Sequence, residues 1–175
     1  RKMTVRGCYF PPKVENDGQK IYPPNLTFLG CMRYPSCKIS ELPRSITDLE
    51  VFAGGDPTVE DSIYPPNLTK LRTDNLYTST LREMQHLEYL DASCIFDDFT
   101  FPETLTSLTI GNAGYMSVDE WNKFPKNLTF LELNSPYYYE IDEMFALKNL
   151  PKSLTHLIMY FPSWHFQKDD YLNYG

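Results

Sequence analysis

The stretch YPPNLTFLG at 22–30 returns as YPPNLTKLR at 64–72, and FPETLTSLT, FPKNLTFLE and LPKSLTHLI are variants of the same word. A word that recurs about every twenty residues constrains the fold more than any local propensity. Such a unit is too short to bury a core alone and must stack on its copies. Aligned on the leucine after the small polar residue, the anchors are Leu26, Ile46, Leu68, Leu87, Leu105, Leu128 and Leu154, spaced by 20, 22, 19, 18, 23 and 26 residues. Val5, 21 residues before Leu26, extends the series to eight rungs.

Counting each anchor as position 0, an apolar residue follows at +3 and usually another at +5: Leu29/Cys31, Leu49/Val51, Leu90/Ala92, Leu108/Ile110, Leu131/Leu133 and Leu157/Met159, with Thr73 the polar exception after Leu71. Alternation with the residues at +4 and +6 is strand periodicity, and the run is too short for a helix. The expected architecture is an α/β solenoid, mostly β, with one short parallel strand per repeat of about 18–26 residues and a few short helices on the convex side. The solenoid should occupy 1–160, and the aromatic tail 161–175 should cap its open end.

The prefix suits a strand entrance. Proline fixes φ and lacks an N–H, so it is tolerated at the start of a strand and harmful in its middle. The next Asn, Ser or Thr can bond its own local backbone and hold a turn. Threonine at +1 (Thr27, Thr47, Thr69, Thr106, Thr129, Thr155, with Glu88 departing) should form a column along the sheet.

These residues carry a resemblance. L-x-x-L-x-[LIV] at this period resembles the leucine-rich repeat. The prefix is similar to the FNIP-type repeat of amoebae and giant viruses (LPKSLTHL, LPRSITDL) and to the short-repeat bacterial effector type. The resemblance implies a leucine-rich-repeat fold that binds another protein through a concave sheet. The effector branch implies a second reading, the substrate-recognition part of a larger enzyme such as a ubiquitin ligase. The chain lacks the asparagine that usually follows the last strand leucine (Gly54, Leu76, Ile95, Ala113 and Pro136 stand there) and the FN that names the FNIP repeat.

Repeats of 18–20 residues leave room only for extended or 3₁₀ connections on the outer face. The longer ones suggest helices at about 118–123, with a capping box from Ser117 to Glu120, and over EIDEMFALKN at 140–149. A net charge of −7 without a basic run disfavours nucleic acid and anionic membranes, and no apolar stretch is long enough to insert in a bilayer. Cys8, Cys31, Cys37 and Cys94 lack the spacing of a zinc site and read as buried free thiols. His86, His156 and His165 fall in different repeats, and no acidic pair, nucleophile motif or phosphate loop points to catalysis, a metal or a cofactor.

The strand face outside the core remains. Its +2 and +4 columns change sharply from repeat to repeat, as a recognition scaffold requires. The expected partner-binding residues are Phe28, Asp48, Glu50, Lys70, Arg72, Tyr89, Asp91, Phe130, Glu132 and His156. The alternation of Asp48 and Glu50 with Lys70 and Arg72 suits cross-strand pairing and a charged partner equally. Exposed Phe28, Tyr89 and Phe130 favour a protein partner. NLT at Asn25, Asn67 and Asn127 is a glycosylation acceptor in form, yet Ser45, Thr104 and Ser153 fill the same slot elsewhere. Turn chemistry therefore accounts for it, which leans towards an intracellular protein. A third reading is extracellular adhesion or carbohydrate binding through aromatics such as Tyr137 to Tyr139 and Trp164.

Overall fold

The computed structural model describes residues 2–5, 22–23, 25–32, 39–52, 63–77, 81–96, 100–112, 120, 122–134 and 148–160. Eight strands lie in one sheet in chain order: β1 (Lys2–Val5), β2 (Phe28–Met32), β3 (Asp48–Phe52), β4 (Lys70–Tyr77), β5 (Tyr89–Phe96), β6 (Ser107–Asn112), β7 (Phe130–Asn134) and β8 (His156–Tyr160). Every neighbouring pair is parallel. Parallel neighbours require the chain to return to the same end of the sheet after each strand. A repeat of about twenty residues does so once, and the result is a parallel β-solenoid with one strand per turn.

The register is the one the anchors predict from β2 onward. Leu29, Leu49, Leu71, Leu90, Leu108, Leu131 and Leu157 are successive partners across the sheet. The first rung differs. Met3 pairs with Leu29 and Val5 with Cys31, so Val5 takes the +5 slot and not the anchor slot expected for it. A lone valine fits either slot, and only pairing distinguishes them.

Burial follows the pattern. Leu26, Ile46, Leu68, Leu87, Leu105 and Leu128 form the anchor row of one core cluster, and the +3 leucines of β3 to β7 are fully buried beside them. Each such side chain contributes about 1.5–3 kcal/mol relative to exposure. A further row comes from position −4, just before the proline: Tyr22, Leu42, Tyr64, Phe101, Phe124 and Leu150 all join or pack against the cluster. Phe101 and Phe124 stack with centroids 5.9 Å apart. Where the fourth anchor's repeat has Glu83 at −4, Leu81 and Met84 are buried instead. Thr73 is buried despite its hydroxyl, which donates to the Asn75 carbonyl at 3.3 Å.

Strands β4 and β5 run to eight residues, and Leu76 and Ile95 are buried partners near their ends. Strict alternation from Leu71 would bury Asn75; instead Leu76 turns inward, so the strand changes face between Thr73 and Leu76. In β6 the same corner falls at Gly111, where an added Cβ would lie 2.9 Å from Ser93 Cα. Glycine is needed there because a neighbouring backbone fills the space of a side chain.

The repeated prefix works between repeats. The N–H of each anchor donates to the carbonyl three residues earlier, closing a turn in all seven repeats; that carbonyl belongs to proline in six and to Met84 in the other. The small polar residue, expected to bond locally, reaches the previous repeat. Ser45 donates to Leu26 O at 2.7 Å, Thr104 to Leu87 O at 2.8 Å and Ser153 to Leu128 O at 2.6 Å. The longer Asn67 and Asn127 reach Arg44 O at 3.4 Å and Glu103 O at 3.2 Å. A local Asx-type bond loses because stacking brings an unpaired carbonyl of the neighbouring turn within reach.

The threonine column is a second ladder. Thr69, Thr129 and Thr155 each donate a hydroxyl at 3.0 Å to the carbonyl of the +1 threonine one repeat earlier, and Thr106 donates to Glu88 O at 3.1 Å. Thr47 does the same to Thr27 O at 3.3 Å. Each of these carbonyls also accepts the N–H groups of +1 and +2 in the next repeat. Glu88 has no hydroxyl to give, so among the described residues Thr69 O receives the two backbone donors alone.

No α-helical element lies wholly among the described residues, where Leu81, Glu120 and Lys148 alone have helical conformation; the connection before β3 includes a 3₁₀ turn at Ile39–Glu41, as short repeats require. Of the helix expected at about 118–123, positions 118, 119 and 121 lie outside the described residues; Glu120 is helical, and Lys123 N donates to Glu120 O at 3.0 Å in the turn that follows. Of the second helical segment, 140–147 lies outside the described residues, as do Cys8, Cys37, Tyr137 to Tyr139, His165 and the tail at 161–175. Cys94 is a free, half-buried thiol. At β8 the +3 residue Leu157 is 39% exposed, unlike its buried counterparts; among the described residues it has a strand on one side only.

Changing Leu108 to Asp should abolish cooperative thermal unfolding, since a carboxylate there has no partner and removing a buried charge from water costs several kcal/mol. Changing Gly111 to Ala should lower the melting temperature, the Ser93 backbone having to move; an unchanged value would remove the close approach.

Candidate functional site

The sheet face opposite the core is built by the pairing register. The +2 column runs Phe28, Asp48, Lys70, Tyr89, Ser107, Phe130, His156, and the +4 column Gly30, Glu50, Arg72, Asp91, Thr109, Glu132, Ile158, each residue beside the next on adjacent strands. Parallel strands lie about 4.8 Å apart, so side chains in a column are in contact range. All ten expected binding residues occupy this face.

Its centre is Arg72. The guanidinium contacts Glu50 Oε1 at 2.7 Å and Asp91 Oδ2 at 3.7 Å, on the strands to either side. It also donates to the Tyr89 hydroxyl at 3.4 Å, and its central carbon lies 5.4 Å from the Tyr89 ring centroid. Two carboxylates and a ring face thus hold one planar cation in place, the arrangement for which arginine is better suited than lysine. The Arg72 side chain stays 46% exposed, so the pairs contribute little stability individually. Their effect is to fix an arginine and an aromatic at a defined position. Asp48 and Lys70 are register neighbours without an ion pair among the described residues. The charge alternation therefore resolves into one cross-strand cluster on the +4 column and an open pair on the +2 column.

Two expectations about aromatics divide. Tyr89 and Phe130 are partly exposed, and Phe130 lies 6.3 Å from the exposed His156 ring. Phe28, expected to be exposed, is 7% accessible. Its ring lies across Gly30: a Cβ there would meet Phe28 Cζ and Glu50 Oε2 at 3.3 Å. The glycine beside it made room for this packing, and that pairing was the available signal. Towards the other end, Asn134 donates to Glu132 Oε1 at 3.4 Å.

Asp91 is the titratable group most affected by this setting. Burial pushes its carboxyl above the ordinary aspartate value of 3.8; Arg72 pulls it down, and Glu132 adds to the rise. A carboxyl whose folded pKa is raised favours the fold in its protonated form. Its cost to stability is absent below the unfolded value and grows as pH rises through the folded one.

Among the described residues no group of three or more His, Cys, Asp or Glu could hold a metal ion. Asn25, Asn67 and Asn127 are exposed in their turns. The amides of Asn67 and Asn127 serve the inter-repeat ladder.

The melting-temperature advantage of Asp91→Asn over wild type should therefore be larger at pH 7 than at pH 3. An advantage that shrinks as pH rises would mean that the Arg72 attraction outweighs burial.

The chain matches no protein-family model, and neither the curated proteins nor the solved structures contain a significant match to it.

Proposed function

We propose that this chain is a protein-recognition module of the leucine-rich-repeat kind, with no catalytic role of its own, which binds another protein through the sheet face opposite its core. The observation that carries the reading is the contrast between columns. Positions 0, +1 and +3 keep one chemistry from repeat to repeat, Glu88 at +1 excepted, whereas +2 and +4 pass through phenylalanine, aspartate, lysine, tyrosine, serine and histidine, and through glycine, glutamate, arginine, aspartate and threonine. A face that only needed to be wet has no reason to hold an arginine over a tyrosine ring.

Arginine and tyrosine are enriched among residues that dominate binding energy, and here they are fixed before any partner arrives. The L-x-x-L-x-[LIV] register on parallel strands supports the leucine-rich-repeat assignment, and the LPKSLTHL type of word supports an FNIP-like branch. The buried Leu76 and Ile95, where that family usually has asparagine, are this chain's own solution to the strand end.

A photoreactive residue at Ser107, beside Tyr89 on the face, should crosslink a protein that the same residue at Lys126, in an exposed turn, does not capture. The captured protein should lose roughly 2 kcal/mol of affinity, some thirtyfold, on Tyr89→Ala or Arg72→Glu while the melting temperature holds. Capture from the turn position alone, or unchanged affinity in both variants, would sink the proposal.

A further inference from the structure

Among the described residues the threonine ladder breaks once, and a groove lies at the break. Asn67, Thr69, His86, Glu88, Thr104 and Thr106 line an open depression of about 620 Å³ along the strand entrances of three successive repeats. This repeat departs from the common word at three places: Met84 replaces the turn proline, His86 replaces the small polar residue and Glu88 replaces threonine. The first change is absorbed by the core, where Met84 is buried. The other two leave exposed side chains on the groove wall.

The hydrogen-bond inventory of the wall says what it can bind. A hydroxyl has one proton and two lone pairs. Thr69, Thr104 and Thr106 have each spent that proton on a backbone carbonyl, at 3.0, 2.8 and 3.1 Å. Asn67 directs an N–H to Arg44 O at 3.4 Å. Their remaining capacity towards the groove is largely that of acceptors, and an ionised Glu88 is an acceptor only. Among the described residues the Glu88 carboxylate makes no hydrogen bond or ion pair, in contrast to Glu50 on the +4 column. Apart from a ring N–H of His86 and the second amide N–H of Asn67, the wall is thus an acceptor surface with one unpaired negative charge.

Such a surface fits a ligand that is all donor and positively charged. A dehydrated divalent cation needs more anionic oxygen than one carboxylate provides, and among the described residues no group of metal-binding side chains includes Glu88. A guanidinium offers five N–H donors in a plane and holds its charge at any physiological pH. We infer that the groove around Glu88 receives an arginine side chain of a partner polypeptide, with Glu88 taking the charge and the threonine oxygens accepting from the edge of the fork. This site lies on the strand-entrance edge, apart from the Arg72 cluster, and does not depend on the function proposed for the sheet face.

The test is a titration of the isotopically labelled protein with acetyl-Gly-Arg-Gly-amide at millimolar concentration, followed by amide chemical shifts. Saturating shifts should centre on Glu88, Tyr89 and Thr106, and the citrulline peptide, matched in shape but uncharged, should leave them in place. Glu88→Thr restores the residue of the sister repeats and should fold at least as stably as wild type, yet weaken binding tenfold or more. Glu88→Gln, which keeps the size, should do the same. Equal shifts with citrulline, undiminished binding in both variants, or shifts centred on Glu50 and Asp91 would overturn the site. An equally strong response to the lysine peptide would overturn the assignment to guanidinium.

Discussion

In most repeats of this chain a threonine hydroxyl donates to the carbonyl of its counterpart one repeat earlier, and the backbone N–H groups at the same place donate to it too. Each bond is worth about 0.5–1.5 kcal/mol net. Its larger consequence is positional. A one-residue slip of any strand would exchange core and solvent faces and also take the threonine out of reach of its acceptor. The ladder and the leucine rows enforce the same register by different chemistry, one directional and one dependent only on area. Agreement between such signals is what singles out one structure among its competitors.

That division of labour frees the opposite face. Core positions are bound by volume, since the interior tolerates neither gaps nor excess. The entrance positions are bound by hydrogen bonds, because buried backbone carbonyls need partners. Residues at +2 and +4 are bound by neither and vary accordingly. Where such residues meet across strands, as the three residues Glu50, Arg72 and Asp91 do, the face acquires structure of its own. An uncompensated row of acids would repel along the column; placing Arg72 between two of them removes that repulsion and orients the cation.

The repeat word made much of the fold legible. Period, strand direction, the leucine rows and the column membership of every candidate residue follow from spacing alone, because side-chain direction in a strand depends on parity. What was not legible depended on contacts between repeats. Val5 is a fitting anchor by type, and only its pairing with Cys31 shows another slot. Phe28 reads as exposed from parity, yet the glycine two residues on lets its ring lie down against the sheet. The serine and asparagine before the anchor read as local turn formers, and stacking supplies a better acceptor one repeat away. For Phe28 and the polar residues the column was right and the partner was decided in the third dimension; for Val5 the slot itself was decided there.

The fourth anchor's repeat shows how a regular scaffold acquires a particular place. Its proline, small polar residue and threonine are all exchanged, yet Leu87 and Leu90 remain fully buried and Met84 N bonds to Leu81 O at 3.0 Å. The turn closes without proline because the Met84 carbonyl accepts from Leu87 N in the usual way. The ladder survives the loss of one hydroxyl because Thr106 still reaches the Glu88 carbonyl, which any residue would supply. Backbone groups carry continuity through this rung, so its side chains at 86 and 88 are released from structural duty. A solenoid whose ladder ran entirely through side chains would have no such freedom. One that relies on the main chain can lose a threonine at a cost of about one hydrogen bond and gain an unpaired carboxylate in its place.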